Sequence, residues 1–461
     1  MFDSERAEIR FGCGLSPRIA PAGSVPKMLA RLKGPDTAAA RFAIPSLDQF
    51  RPEALKFARL RRAYFFADNP DEKAEARVEF RAGSRVMRHH AYRWFGQMIL
   101  RRALGQDSMR ERLAAFWADH FTAQGRDIVS HTVQAIYVEE AIRPHVSGRF
   151  ADMLRAVMTH PLMLIYLDQN RSVGPNSRAA KRRPEKKRGL NENLARELLE
   201  LHTLGVGGPY SQDDVRQLAE LLTGLRYSLE KGFQFDPARA EPGAETVLGK
   251  IYGGDAPALS DIHAVLDDLA AHPATAAHLA RKLAVHFVSD TPDPAMIAAM
   301  AARYQQTGGD LLEVYRAMLD HPSAWDFTHR NVKQPIDFIS SSLRALDISP
   351  RHIQGARPGK ILTNLVAPLT LMGQQWARAP GPDGWPEEDG QWITPQRLSA
   401  RLQWAMGVPF LLRRVLPDPR EFVDTALGRD APEAVRFAAG AAENRAEGVG
   451  LVLGSPAFQR M

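Results

Sequence analysis

The stretch "GLNENLARELLELHTLGVGGPYSQDDVRQLAELLTG", residues 189–224, decides the fold. Its leucines recur every three or four positions on both sides of a glycine turn, which is the spacing of apolar residues along one face of a helix. Gly205 suits the left-handed position that ends a helix, and Ser211 with Asp214 matches the capping pattern that begins the next one. The stretch therefore predicts two helices joined by a short turn.

Helical spacing of apolar residues dominates the rest of the chain as well, for example over 108–122 and 272–290. Alternation typical of strands is rare. The best candidates, 225–229 and 233–236, predict one small hairpin around Gly232. We therefore predict a mostly α fold, a large multi-helix body with long irregular loops and at most a small β-hairpin.

The length of 461 residues allows several domains or one large helical body. We interpret the chain as a single helical unit spanning 1–461. A finer subdivision separates an N-terminal helical part (1–165), a central part with the hairpin and loops (166–260), and a C-terminal helical part (261–461).

The composition is that of a soluble globular protein, with 44% hydrophobic and 25% charged residues. A single cysteine excludes an intrachain disulfide and any zinc or iron–sulfur site built on cysteines. The N-terminus lacks the apolar segment of a signal peptide, and no run approaches the roughly 18 apolar residues of a membrane span. We expect a cytoplasmic protein by default, and export bound to a partner stays open.

Positive charge is concentrated in one loop. Residues 178–188 hold seven Lys or Arg and one Glu, so this loop carries most of the net charge of +7. Arg182, Arg183 and Lys186 are candidate binding residues there. The loop is either simply solvated or contacts an acidic protein or a polysaccharide. Nucleic acid ranks behind these partners, because stacking and groove-binding elements are missing.

The polar side of the first helix of the hairpin is dense in amides and charges: Asn191, Glu192, Asn193, Arg196, Glu197 and Glu200. One interpretation leaves this face in water, where ion pairs four residues apart add only a few tenths of a kcal/mol each. The other makes it the wall of a site. Glu197 and Glu200 lie one helical turn apart, so both carboxylates could face a common cavity.

Other residues with useful chemistry are scattered along the chain. His120 ends a helix that carries a tryptophan, and Lys282 and His286 share one stripe of a later helix. His202 falls on the apolar side of the hairpin, where a histidine is either a core residue with one hydrogen bond or a ligand. The loop 377–395 is rich in Gly and Pro, and its tryptophans either anchor it or line a groove.

Several segments together resemble a known bacterial family. They include "RPHVSGRFADMLRAVMTHPLMLIYLDQN" (143–170), the hairpin 189–224, "KQPIDFISSSLRAL" (333–346) and "DGWPEEDGQWITPQRLSARLQWA" (383–405). In this order they resemble the family catalogued as domain of unknown function 1800, over nearly the whole chain. The Asn-Glu-Asn-x-x-Arg-Glu-Leu-Leu-Glu-Leu block is the most specific of them.

The resemblance implies little chemistry, because no secure activity is known for the family. Members are often encoded beside proteins of a second unknown-function family, 1501, which look like sulfatases or alkaline phosphatases and are often exported. The resemblance thus implies such a protein as a partner. Many members have histidines where this chain has Ala118 and Ala240. A metal or catalytic site built on those histidines would lack these side chains in this chain. No cofactor is therefore predicted, and a metal is left uncertain.

Two hypotheses for function follow. The first is a ligand-binding or hydrolase-like site for a polar substrate, in which Glu197, Glu200 and His120 perform acid–base chemistry. Its binding residues would come from the rest of the polar helix face, together with His202, Lys282, His286, Trp385 and Trp392. The second is a non-catalytic binding or scaffold protein that partners the phosphatase-like neighbour through the basic loop and the tryptophan loop.

Overall fold

The computed structural model of the chain describes residues 2–182, 189–328 and 330–461, and most of it is helical. The N-terminal helices are α1 (Ser4–Arg10), α2 (Val25–Lys33), α3 (Thr37–Arg41), α4 (Leu47–Phe65), α5 (Pro70–Leu104), α6 (Ser108–His120), α7 (Ile128–Tyr137), α8 (Phe150–Thr159) and α9 (Pro161–Tyr166). The central elements are α10 (Arg178–Arg182), α11 (Asn193–Glu197), α12 (Gln212–Leu221), β1 (Leu225–Ser228), β2 (Gly232–Phe235), β3 (Gly243–Val247) and β4 (Lys250–Gly254).

The C-terminal half is helical throughout its regular elements. These are α13 (Leu259–Ala271), α14 (Pro273–Phe287), α15 (Pro294–Gln306), α16 (Leu311–Asp320), α17 (Pro335–Ala345), α18 (Pro350–Gln354), α19 (Pro358–Ile361), α20 (Ala367–Leu371), α21 (Asp389–Trp392), α22 (Pro395–Leu412), α23 (Pro419–Leu427), α24 (Glu433–Ala441), α25 (Arg445–Gly454) and α26 (Pro456–Gln459). Short 3-10 turns and single π-helical turns connect or extend several of them. The prediction of a mostly α protein is confirmed.

The helical hairpin of 189–224 forms as its sequence predicts. The Ser211 side chain accepts a hydrogen bond from the backbone N–H of Asp214, whose carboxylate accepts one from the backbone N–H of Ser211. Gly205 adopts a φ of +89°, the left-handed conformation expected at the end of the first helix. One feature was not predicted: beyond α11 the helix widens into a π-helix over Leu198–Thr203.

The predicted β-hairpin is also present. Strands β1 and β2 pair antiparallel, with Leu225 opposite Phe235 and Ser228 opposite Gly232. A second antiparallel pair, β3 with β4, adds to it. Its alternation escaped notice because the strands are only five residues long and carry glycines at their open end. Each sheet has two strands, so neither changes the helical character of the fold.

Apolar side chains form two clusters. The first gathers residues from the N-terminal helices, the hairpin 189–224 and α13 to α16. The second gathers residues from the end of α5 and from α17 onward. Helix α5 belongs to both, because Trp94 packs into the first cluster and its neighbour Phe95 into the second. Within the described ranges, no helix combines the length and the apolar character needed to cross a membrane.

Buried charges stand where the two clusters meet. Arg102 of α5 and Arg112 of α6 both form ion pairs with Asp337 of α17, and all three residues are buried. Buried ions are tolerated only when they are paired and hydrogen-bonded. The orientation of these three helices is therefore constrained by a single carboxylate.

Replacing Gly205 tests the helix end. Gly205→Val should lower the free energy of unfolding by more than about 1 kcal/mol, because a β-branched residue is strained at positive φ. An added Cβ would also stand 3.0 Å from His278 Nδ1. Urea or thermal unfolding measures the loss. Gly407→Ala is the control, since it lies inside α22 with no atom within 4 Å of the new Cβ. Equal stability of Gly205→Val and the wild type would contradict a left-handed cap.

Candidate functional site

A cavity of about 210 Å³ opens between α6, α7 and the segment that leads into the tryptophan loop. Its walls are mostly apolar and include Ala118, Trp376 and Trp385. One side is formed by the buried ion-pair layer around Asp337. A concave, largely apolar space with a few polar groups is the usual form of a small-molecule site.

The loop 377–395 is fixed at three places. Gln134 donates a hydrogen bond from Nε2 to the carbonyl oxygen of Ala377 at 2.9 Å, and Gln124 donates to that of Ala379 at 2.7 Å. Trp392 is 1% exposed, and its Nε1 donates to the carbonyl oxygen of Pro386. Trp392 thus anchors the loop, whereas Trp385 lines the cavity. The loop therefore contains one tryptophan that anchors it, Trp392, and one that lines the cavity, Trp385.

Asp119 is the most perturbed carboxyl group at the cavity. The backbone N–H of Trp385 donates to both of its oxygens, at 3.0 and 3.1 Å. Burial and then the neighbouring Glu387 raise the pKa of Asp119 from 3.8 to about 8, against the opposing effect of Lys282. Asp119 therefore carries its proton at neutral pH, although it stands at a cavity wall.

His286 links the loop to the buried charges. Its Nδ1 lies 3.0 and 2.9 Å from the two carboxylate oxygens of Glu387, and its Nε2 lies 3.4 Å from a guanidinium nitrogen of Arg112. A guanidinium can only donate, so Nε2 accepts and the Nδ1–H donates to Glu387. This contact orients the carboxylate of Glu387 beside Asp119.

Glu197 belongs to the same electrostatic neighbourhood. It is half-buried, and burial followed by the charges of Glu200 and Asp383 raises its pKa. Asp383 also acts on Asp119 and on Tyr166. The carboxylates of the hairpin and those of the loop 377–395 are thus close enough to influence each other, which makes this side of the site acidic.

His120 and His278 hold the end of the π-helical turn. His120 donates from Nε2 to the carbonyl oxygen of His202 at 3.2 Å, and His278 donates from Nε2 to that of Leu201 at 3.0 Å. The last carbonyls of a helix lack partners within it, and these two imidazoles supply them. Burial, followed by the nearby charge of Lys282, holds the pKa of His120 well below its usual value. His120 is therefore a neutral, buried support beneath the hairpin.

His202 is fully buried on the apolar face, as predicted. The single hydrogen bond expected of a core histidine is absent, because neither of its ring nitrogens has a partner among the described residues. Burial, then Lys282 and His278, lower its pKa to about 3. Its ring lies 6.0 Å from that of His120.

The remaining polar residues of the hairpin are explained locally. Arg196 pairs with Glu192 at 3.3 Å and with Glu200 at 3.4 Å, and Gln212 contacts both Arg196 and Glu192. Asn191 accepts a hydrogen bond from the backbone N–H of Asn193 through Oδ1, and Asn193 itself is exposed. These groups connect the two helices through ion pairs and hydrogen bonds on the outer side of the hairpin. Arg182 is exposed at the end of α10, and Arg183 and Lys186 lie outside the described residues.

The chain matches the model of a known protein family. Residues 9–460 match the family described as "Protein of unknown function (DUF1800)". The chain belongs to this family. No curated protein and no solved structure matches it.

Two alanines occupy positions where the resemblance implied histidines in many DUF1800 proteins. Ala118 lines the cavity directly before Asp119. Ala240 is buried beside Gly224 and precedes the buried Glu241. Across 2–182, 189–328 and 330–461, no three His, Cys, Asp or Glu side chains converge in a way that could hold a metal ion.

Sequence reasoning missed Asp119, Glu387 and Asp383. The signals were nevertheless inside quoted motifs, since Asp119 precedes His120 and the two loop carboxylates flank Trp385. A helical wheel cannot connect α6 with a loop more than 250 residues away, and the Asp119–Trp385 hydrogen bond spans 266 positions.

The raised pKa of Asp119 predicts how stability of this DUF1800 protein depends on pH. Between the unfolded pKa of 3.8 and the folded value of about 8, the native state binds one proton more than the unfolded state. The stabilisation by protonated Asp119 is therefore fully present below the unfolded pKa of 3.8. It is lost as the pH rises through the folded pKa of about 8. Asp119→Asn should flatten the fall in melting temperature between about pH 5 and about pH 8.

The control is Asp255→Asn, which changes an exposed carboxyl group in the same way. It should leave the pH dependence of the melting temperature as it is in the wild type. If the melting temperature of Asp119→Asn depends on pH in the same way as that of the wild type, the carboxyl group of Asp119 is ionised in the native state.

Proposed function

We propose that this protein binds a small amide-bearing molecule in the cavity beneath Trp385 and hydrolyses its amide bond by general acid–base catalysis. The single observation that carries this proposal is Asp119, a carboxyl group held by the Trp385 N–H at a cavity wall and protonated at neutral pH. A neutral carboxylic acid at such a place is suited to give a proton to a leaving group.

The lining of the cavity favours a flat, partly apolar molecule with an N–H group. The rings of Trp376 and Trp385 supply apolar walls. The Oε1 atom of Gln134 is buried and has no hydrogen-bond partner among the described residues, so it is available to accept from a ligand N–H. The charge of Asp383, which acts on both Asp119 and Glu197, favours a positively charged group over an anion.

The proposal gives Asp119 and Glu387 different catalytic roles, based on their hydrogen bonds. Asp119 donates its proton to the leaving nitrogen, and the ammonium of Lys282 with the Trp385 N–H stabilises the carboxylate that results. Glu387, oriented by the Nδ1–H of His286, accepts a proton from the attacking water. Among the candidates from the sequence, Glu197 interacts electrostatically with Asp383, Glu200 acts on Glu197, and His120 supports the hairpin.

A panel of aryl amides and their parent arylamines tests the proposal. Binding is measured by quenching of tryptophan fluorescence, and turnover by arylamine release. Asp119→Asn should keep binding of an amide while lowering turnover by about a hundredfold or more, the usual contribution of a general acid. Ala118→Trp fills the cavity and should abolish both.

Asp255→Asn is again the control and should behave as the wild type. Unchanged binding in Ala118→Trp would place the ligand elsewhere, and unchanged turnover in Asp119→Asn would remove the acid. A complete lack of binding and turnover across the panel would contradict the proposed substrate class.

An exposed apolar stripe supports the second candidate, a binding or scaffold role. Leu402, Met406 and Phe410 follow each other at four-residue spacing on α22 and are 40%, 45% and 53% exposed. Contiguous exposed apolar surface commonly marks a contact with another protein. The partner we propose is the phosphatase- or sulfatase-like protein encoded nearby, and an acidic protein or polysaccharide at the basic loop 178–188 stays a prediction.

Co-purification of the two proteins tests this role. Met406→Glu combined with Phe410→Glu should abolish association, because the stripe would become charged. Phe65→Glu is the control, since this side chain is comparably exposed on α4. Association that survives the double substitution, or no association of the wild type, would contradict docking through α22.

A further inference from the structure

A second pocket, of about 670 Å³, lies away from the Asp119 cavity. Its lining comes from α1, α23 and α26 and from Phe327, Thr328, Arg330, Asn331 and Lys333. The motif "KQPIDFISSSLRAL" begins at this pocket, and neither function proposed above uses its first residue, Lys333.

Lys333 is the first residue of that motif and lines the pocket. It is only 4% exposed. Its backbone is fixed on both sides, because its N–H donates to the carbonyl oxygen of Gln459 and its carbonyl oxygen accepts from Arg401, each at 2.8 Å. The ammonium nitrogen stands 3.8 Å from the centroid of the Phe458 ring. The structure thus holds an amine in a defined place at the pocket wall.

The side chain of Lys333 lacks the partners that a buried ammonium ordinarily has. Its Nζ makes no hydrogen bond or ion pair within the described ranges. The nearest carboxylate to act on it, that of Asp337, is already shared by Arg102 and Arg112. Burial therefore lowers the pKa of Lys333 to about 7, with Asp337 opposing and Arg112 and Arg401 adding to the effect.

Positive groups gather around the ring of Phe327, which lines the pocket together with Arg6 and Arg330. The guanidinium groups of Arg6, Arg10 and Arg330 lie 4.9, 4.2 and 5.7 Å from the centroid of Phe327. Arg6 pairs with Asp430 at 2.8 Å, whereas Arg330 forms no ion pair with a carboxylate in the described part of the chain. Arg330 is exposed at the rim, so its guanidinium group is open to an incoming anion.

We infer that Lys333 is an amine nucleophile that captures a small aldehyde or ketone carrying an acid group as a Schiff base, with Arg330 binding the acid group. A buried amine that makes no hydrogen bond or ion pair within the described ranges and an available guanidinium group line one pocket, and this combination matches such a ligand at both ends. A purely structural residue at position 333 would pack as well without a charge, since burying an unpaired ammonium costs stability.

The proposed step needs no oxidant or reductant. The lone pair of the neutral Lys333 amine attacks the carbonyl carbon, a C–N bond forms, and the carbonyl π electrons move to oxygen, which takes up a proton. The nitrogen gives up one proton, which balances the proton taken up by the oxygen, and the hydroxyl group then leaves as water with the second N–H proton as the C=N bond of the imine forms. At pH 7 a lysine with a pKa of about 7 has roughly a thousand times more neutral amine than an ordinary one.

Pyridoxal 5′-phosphate followed by borohydride reduction tests this inference on the full chain. Peptide mass mapping should find one saturable site, Lys333, and Lys333→Arg should remove it. Arg330→Ala should raise the concentration needed for half-labelling by about tenfold, the loss of one charge-assisted contact. Pyridoxal, which lacks the phosphate, should also need a higher concentration.

Two controls separate this site from the proposed function. Lys282→Arg and Asp119→Asn should leave labelling of Lys333 unchanged, whatever they do to amide turnover. Labelling spread over exposed lysines without saturation would overturn the inference. Labelling of Lys333 only after unfolding, with the melting temperature of the native protein unaffected by the probe, would overturn it as well.

Discussion

The paired charges of Asp337, Arg102 and Arg112 are the constraint on which the rest of the structure depends. They lie between two apolar clusters, where an unpaired ion would cost far more than the pair returns. Helices α5, α6 and α17 must therefore meet at one carboxylate. Burial alone would raise the pKa of Asp337, yet Arg112 and Arg102 hold it below its ordinary value. The layer stays charged in the folded protein.

The charged residues of this layer line the Asp119 cavity, and the charges of Asp337 and Arg112 also act on Lys333 at the second pocket. On one side, Arg112 contacts His286, which orients Glu387 beside Asp119. At the second pocket, Asp337 is occupied by two arginines and forms no ion pair with Lys333, whose ammonium group contacts the Phe458 ring. A carboxyl group that keeps its proton and an amine that loses its proton easily arise within one protein, because burial acts against the charged form of each.

The candidate site shows where local patterns stop being informative. The polar hairpin face is dense in amides and charges, but Arg196, Glu192 and Asn191 form side-chain contacts within the hairpin itself. Glu197 alone extends from that face toward the loop carboxylates. His120 donates a hydrogen bond to a carbonyl of the π-helical turn, and a catalytic role for it stays a prediction. The groups whose pKa values shift most come from segments that are far apart in sequence and share no periodic pattern.

By itself, the sequence determined the helical class, the capped hairpin of 189–224, the small β-hairpin and the family. Each of these rests on neighbours within a few positions along the chain, where spacing and capping residues act directly. Only the tertiary structure decided which carboxyl group is protonated, which tryptophan faces the cavity and which lysine is desolvated. Those properties depend on burial and on charges brought together from distant segments, as Asp119 and Trp385 are. A pKa reflects the dielectric surroundings and charges around a group, and these exist only once the chain has folded.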